Sequence, residues 1–325
     1  MVPKIELHVH LEGTIRPGTL LDIARRNGEA LPTDTVEGIA ALYEFRDFSH
    51  FIDVWILTTN CLRKRDDFRQ VAVDYAMQAA SFGAVYVEAI FSPCERVMRG
   101  VDWDDIFAGY TDGAVEARER FGVTVTFTPD LFRGVDLELA TQAARMAVRY
   151  ADRGVVGLGL GGMERGLSAR PYVPAFDIAR AEGLGIVPHS GESAGPDSMR
   201  EILDLDPDRI RHGIKAVEDP AVLADIVDRG LVLDVCPTSN LRTAVVPSVA
   251  AHPLPTLRAA GVPCTINTDD PAMFGTDLGR EMVLAAELGV SAEDAYTAGV
   301  TGALCDDQTR ARLAEIGRAA FAPMI

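Results

Sequence analysis

The sequence predicts an α/β fold, a TIM-type (β/α)8 barrel with extra helices inserted after the first strand and at the C-terminus. Three observations carry that prediction. Aliphatic or β-branched runs alternate with helical runs along the chain, eight such strand runs are countable, and four of the six histidines stand where strand runs end. Alternating strands and helices imply parallel β-α-β units, and eight of them imply a closed ring more readily than an open sheet. A chain of 325 residues fits one elaborated barrel, and no linker, low-complexity segment or internal repeat marks a boundary, so a single domain over 1–325 is expected.

The first strand is read from Lys4-Ile-Glu-Leu-His-Val-His10, where period-two alternation would put His8 and His10 on one face and Ile5, Leu7, Val9 and Leu11 on the other. Pro17 suits a first helical turn, Leu20, Leu21, Ile23 and Ala24 follow at helical spacing, and Gly28 ends the run. Residues 33–60 carry Tyr43, Phe45, Phe48, Phe51 and Trp55 without β alternation and read as short inserted helices. A helix over 66–82 then leads into strand 84–91, a run typical of a buried parallel strand. The same unit repeats: helix 103–121 and strand 123–128, helix 136–152 and strand 155–160, helix 171–183 and strand 185–189. A short helix over 196–204 precedes a brief strand ending at His212, helix 219–229 precedes strand 231–236, and helix 253–260 precedes strand 262–269. From 277 onward the pattern is helical.

A formal net charge of -17 sets the overall field against nucleic acid and anionic membranes and favours a small, uncharged substrate. Five scattered cysteines, Cys61, Cys94, Cys236, Cys264 and Cys305, form no C-x-x-C pair, which points to a reducing compartment. The N-terminus lacks the pattern of a cleaved leader, and no apolar run approaches the roughly 20 residues of a membrane span. A cytoplasmic protein is expected.

In such barrels reactive groups gather where strands end at the C-terminal face. His8 and His10 end the first strand, His189 the fifth, His212 the sixth and Asp269-Asp270 the eighth, with His50 and His252 left elsewhere. Three neutral imidazoles with one carboxylate suit Zn²⁺, or less specifically Fe²⁺ or Mn²⁺. Thr265, Asn267 and Asp269 share a strand face, which makes Asp269 the inward ligand candidate and frees Asp270 for another role. The glycines at 157, 159, 161 and 162 depart from both nucleotide-loop spacings, and Cys236 has no histidine near it in sequence to make it a nucleophile.

Five motifs together, His-Val-His-Leu-Glu-Gly-Thr at 8–14, His-Ser-Gly-Glu at 189–192, Arg-His-Gly-Ile at 211–214, Cys-Pro-Thr-Ser-Asn at 236–240 and Asn-Thr-Asp-Asp-Pro at 267–271, resemble the adenosine deaminase family of the amidohydrolase superfamily. The resemblance covers nearly the whole chain in order. It implies hydrolytic attack at C6 of a 6-aminopurine with loss of ammonia, a small-molecule purine substrate, and one Zn²⁺ per subunit held by His8, His10, His189 and Asp269. By the same match His212 would accept or steer the proton of the attacking water, Asp270 would bind that water and purine N7, and Glu192 would protonate N1. Gly162 matches a glycine whose N–H contacts N3. His10 also falls among the expected substrate contacts.

Two departures bear on the substrate. Adenosine-specific members usually carry Asp where this chain has Glu12, the residue matched to the ribose 5′-hydroxyl contact, and tend to carry Asp where it has Met163. The Leu-Glu-Gly version resembles members acting on adenine or on 6-aminodeoxyfutalosine, and the Gly-Leu-Gly-Gly run favours a nucleoside with an altered 5′ group. A metal-dependent phosphoesterase barrel and a silent purine-binding protein are the remoter alternatives.

Overall fold

The computed structural model describes residues 1–45 and 48–322; positions 46 and 47 of the expected insertion and 323–325 of the expected helical tail lie outside the described residues. Ten strand segments run β1 (Lys4–His10), β2 (Ala84–Ile90), β3 (Thr124–Phe127), β4 (Asp130–Phe132), β5 (Gly157–Gly161), β6 (Gly185–Ile186), β7 (His189–Ser190), β8 (Ile210–His212), β9 (Leu233–Val235) and β10 (Cys264–Ile266). All paired neighbours are parallel, in the orders β1-β2-β3, β4-β5-β6 and β7-β8-β9-β10.

Two pairs of segments are halves of single strands. Pro129 follows β3, and Thr128 N–H and Asp130 N–H still donate to Ala89 and Phe91 carbonyls at 2.9 Å, so β3 and β4 run along the same neighbour β2. Pro188 likewise separates β6 from β7, with Val187 N–H bonded to Leu158 O and Arg211 N–H to Pro188 O, both at 3.0 Å. Proline lacks the ladder donor, so each strand is interrupted there without leaving its place. Counted this way there are eight strands among the described residues. The ring closes between its first and last members, where His10 N–H donates to Asp269 O at 2.8 Å and Asp269 N–H to His8 O at 3.1 Å.

The predicted barrel is therefore present with shorter, broken strands. The first helix spans Pro17–Asn27 and is capped by Gly28 in the left-handed conformation, φ 68°, which glycine adopts without strain. Helices Val36–Leu42 and Phe48–Thr59 form the insertion, and Leu278–Glu287, Ala292–Gly302 and Asp307–Phe321 form the tail. The outer face of β1 buries Ile5 and Leu7 against this tail, with Tyr296, Ala303 and Leu313. Its register shifts between Glu6 and Val9, so strict alternation fails there: Glu6 reaches the Tyr75 hydroxyl on helix Arg65–Ser81, while His8 and His10 turn to the site.

Inside the ring Arg209 is fully buried and spans it, donating to Asp234 at 2.6 Å and Glu88 at 2.7 Å. Arg211 pairs with Asp130 and donates to Thr128 Oγ1 at 2.6 Å. These pairs fix β2, β4, β8 and β9 relative to one another, and removing one partner would strand a buried charge.

Candidate active site

The C-terminal ends of β1, β7, β8 and β10 bring His8, His10, His189, His212 and Asp269 together. His189 Nε2 lies 3.1 Å from His8 Nε2 and 3.2 Å from His10 Nε2. Asp269 Oδ1 lies 3.4 Å from both His8 Nε2 and His10 Nε2, and Asp269 Oδ2 lies 3.8 Å from His212 Nε2. Three imidazole nitrogens and a carboxylate oxygen aimed at one point form a donor set that fits a divalent metal.

The surroundings prepare these rings as neutral donors. Burial pushes His8 down to about 3 and His10 to about 4, and holds His189 well below the usual histidine range. His8 Nδ1 faces Asp234 O at 3.4 Å, and His189 Nδ1 faces Leu160 O and Asp130 Oδ2, each at 3.2 Å. A proton on Nδ1 satisfies those acceptors and leaves the Nε2 lone pairs directed inward. Burial alone would raise Asp269, but His8, His212 and His10 around it hold it well below the usual carboxylate range. Ser239 Oγ donates to Asp269 Oδ2 at 2.6 Å and fixes its rotamer.

Two site residues sit in left-handed backbone, His212 at φ 60° and Asp269 at φ 63°. Such conformations are costly for residues with a side chain and are held here by neighbours on both sides. β10 ends at Ile266, so the period-two phase extrapolated to Asp269 does not apply; the left-handed turn aims its carboxylate inward.

Glu192 lies on the loop after β7 with its Oε2 3.7 Å from His212 Nε2. Burial pushes this carboxyl up to about 7, against the pull of His212. The loop is held by Glu164, whose Oε2 accepts from the backbone N–H of Glu192, Ser193 and Ala194 at 3.2, 3.0 and 2.7 Å. Asp270 is buried against Gly13 with its Oδ1 unpartnered, and a side chain at Gly13 would overlap it. Burial next to the Asp269 carboxylate pushes Asp270 well above the usual range.

A cleft of about 310 Å³ opens over this cluster. His10, Glu192, His212, Asp269 and Asp270 form its floor, Gly162 and Met163 one wall, and Phe51, Trp55 and Phe274 an apolar wall. Gly162 has φ 79°, and a Cβ there would come to 3.1 Å from Arg133 N. Met163 stands at the rim, 59% exposed. Glu12 is not among the lining residues. It is buried beneath Ser92, accepting from its N–H at 2.8 Å, with Oε2 unpartnered. Glu95, from the helix Pro93–Val97 that follows β2, lines the cleft instead, and its Oε2 is also buried and unpartnered.

His252 belongs to the site through Asn240. Leu254 N–H donates to His252 Nδ1 at 3.1 Å, so the ring proton is on Nε2, which faces Asn240 Oδ1 at 3.3 Å. Asn240 then offers Nδ2 to His212 Nδ1 at 3.4 Å, leaving the His212 proton on Nε2, toward Glu192 and Asp269. The sequence carried no sign of His252, Glu164 or Glu95 beyond residue type, whereas Asp130, a carboxylate in an apolar run at a strand end, was a readable signal.

A family model described as adenosine deaminase matches residues 3–317 of the chain. An aminodeoxyfutalosine deaminase from Acidothermus cellulolyticus is 57% identical over 99% of this chain and 93% of its own length. An adenine deaminase from Rhodospirillum rubrum is 36% identical over 88% of this chain and 86% of its own length. Among solved structures, an adenine deaminase from Arthrobacter aurescens superposes with a TM-score of 0.91 at 29% identity, covering 98% of this chain and 99% of that one.

Proposed function

The chain belongs to the adenosine deaminase family of metal-dependent hydrolytic aminohydrolases, and from that premise we propose that it is a zinc-dependent deaminase of a 5′-modified adenosine such as 6-aminodeoxyfutalosine. The observation that carries the reading is the convergence of His8, His10, His189 and Asp269 beneath a cleft that also holds Glu192, His212 and Asp270. Within the family, 57% identity to an aminodeoxyfutalosine deaminase supports the nucleoside over the free base. Free adenine is the second reading, favoured by the Rhodospirillum and Arthrobacter relatives.

His8, His10, His189 and Asp269 would hold the ion. When bound, zinc supplies Lewis acidity that brings the pKa of water from about 15.7 to about 7. The chain's own residues supply the rest. Water oxygen adds to C6 of the purine while Glu192, its carboxyl raised by burial to about 7 and so partly protonated near neutral pH, delivers a proton to N1. Asp270, whose carboxyl is among the groups lining the cleft, would bind the attacking water and N7 as the family match implies. His212, with its proton on Nε2, steers the water toward the ring face. Gly162 N–H meets N3 at the cleft wall. The water gives up both its protons, one to the amino group and one, as the C6 hydroxyl becomes the oxo group, back to Glu192; the C6–N bond breaks, ammonia leaves, and the product is the 6-oxopurine carrying the N1 proton.

The decisive assay follows purine absorbance and ammonia release from zinc-loaded protein offered 6-aminodeoxyfutalosine, adenosine and adenine. The nucleoside with the 5′ substituent is expected to turn over best, and failure to turn over any of the three removes the reading. Glu192→Gln should keep its metal yet lose turnover by roughly 10² to 10⁴, the range for a general acid. Near-normal rates in that variant would take Glu192 out of the proton path.

A further inference from the structure

Glu192 owes its place to its backbone. Among the described residues its carboxyl makes no hydrogen bond, and the His212 ring stands off at 3.7 Å. The stretch from Gly191 to Gly195 that carries it belongs to neither strand nor helix, and among the described residues the N–H groups of Glu192, Ser193 and Ala194 find no backbone acceptor. All three donate to one atom, Oε2 of Glu164, at 3.2, 3.0 and 2.7 Å. Arg165 Nε adds a bond to Ser193 O at 2.7 Å. Glu164 is 3% exposed and does not line the cleft. With Arg165, Ala194 and Gly195 it edges a separate hollow of about 510 Å³ on the other side of the loop.

Three successive N–H groups aimed at one carboxylate oxygen form a concavity that holds an anion, and removing the oxygen leaves three donors without a partner. The loop then has open space on its far side into which to relax. Glu164 stands two residues after Gly162, on the turn that follows β5, so its side chain ties the loop after β7 to the loop after β5. Those two loops carry the groups assigned to one edge of the purine, Glu192 to N1 and the Gly162 N–H to N3. The distance between the two groups is set by a single side chain bonded at its far end.

We propose that Glu164 is a positioning residue for the reaction: it clasps the Glu192 loop against the Gly162 loop and so holds the N1 proton donor and the N3 hydrogen-bond donor at the spacing of one purine edge. Glu164 touches no part of the substrate and acts through the backbone of residues 192–194. Arg165 is the lesser half of the clasp, with one bond against three. The inference rests on the deaminase reading above and assigns what keeps its two purine-edge contacts in register.

The test measures calorimetric binding of purine riboside, 1-deazapurine riboside and 3-deazapurine riboside to zinc-loaded protein, with wild type and variants matched for metal content. Wild type should prefer the parent over each analogue by about tenfold, the effect of deleting one hydrogen-bond partner in a closed site. Glu164→Ala should shrink both ratios severalfold together and lower kcat by roughly 10–100-fold, as expected when a reacting group is displaced by about 1 Å. Glu164→Gln keeps an oxygen acceptor at the same reach and should recover part of both ratios. Arg165 is exposed, so Arg165→Ala reads the same shift, in smaller measure, even where Glu164→Ala folds poorly. A residue that served stability alone would weaken all three ribosides equally or lower Tm with the ratios untouched. Wild-type ratios in Glu164→Gln and Arg165→Ala overturn the clasp and leave the deaminase reading standing. Wild type that binds the three ribosides alike loses the purine-edge contacts themselves, and the reading falls with them.

Discussion

At the residue scale, the site depends on which ring nitrogen carries each proton. His8 and His189 are held as Nδ1–H tautomers by Asp234 O, Leu160 O and Asp130 Oδ2, whereas His212 is held as Nε2–H by Asn240. The metal candidates thus offer lone pairs, and His212, the proposed proton handler, offers a hydrogen. Asn240 can serve His212 in this way only while His252 occupies its Oδ1, and burial keeps His252 neutral by pushing it down to about 4. Replacing His252 with Phe frees the amide to turn and present Oδ1 to His212. We expect kcat to fall by roughly 10–100-fold, as for other outer-shell partners, with KM and metal content near wild type. His252→Gln keeps an N–H donor and should recover part of the rate. Steady-state kinetics with metal analysis checks this, and equal rates in wild type and His252→Phe would show that the relay does not set the tautomer. The part played by His252 was not legible in the sequence, because His252 meets Asn240 only through the fold. The motif residues were legible because strand ends collect reactive groups whatever the intervening chain does.

At the element scale, the sequence showed where strands and helices alternate but not how long the strands are. The run over 185–189 read as continuous although Pro188 interrupts it, and the run over 123–128 stopped short of Pro129 and so missed the strand's second half, Asp130–Phe132. The glycines of β5 were legible as unusual and not as purposeful. The structure gives them a purpose, since Gly157, Gly159 and Gly161 leave room for Leu304, for the Asp130–Arg211 pair and for the edge of His189. A Cβ on Gly159 would overlap Asp130 Oδ1 and Arg211 Nη1 and come to 3.0 Å from Val187 O. Gly159→Ala must therefore displace the carboxylate that lies 3.2 Å from His189 Nδ1. Overpacking of this kind costs about 1–3 kcal/mol, and a misaligned ligand ring costs roughly 10–100-fold in activity. Urea unfolding and initial rates on the same preparations test both parts. A variant that is less stable but fully active would separate strand packing from ligand orientation.

At the scale of the whole molecule, the donor set joins elements far apart in the chain. His8 and His10 come from β1, His189 from β7 and Asp269 from the turn after β10, so an ion held among them ties the first and last strands of the ring to its opposite side. Binding to the folded state alone adds stability in proportion to the logarithm of concentration over Kd, about 4 kcal/mol at a thousandfold excess. For a chain of this size, stripping the metal should lower Tm by roughly 5–10 °C, with recovery on adding zinc. A competing assignment exists, because His8, His212 and Cys236 also converge. The two sets use opposite edges of the His8 ring: Cys236 Sγ lies 3.4 Å from Nδ1, while His189 and Asp269 face Nε2. One planar imidazole cannot direct both nitrogens at the same ion, so the two assignments make opposite predictions. If His8, His10, His189 and Asp269 hold the metal, Cys236→Ala keeps one ion per chain and the full chelator-dependent shift in Tm, and His189→Ala loses both. Loss of metal from Cys236→Ala with retention in His189→Ala would move the ion to the other edge of His8, and the catalytic roles of His212 and Asp269 would have to be exchanged.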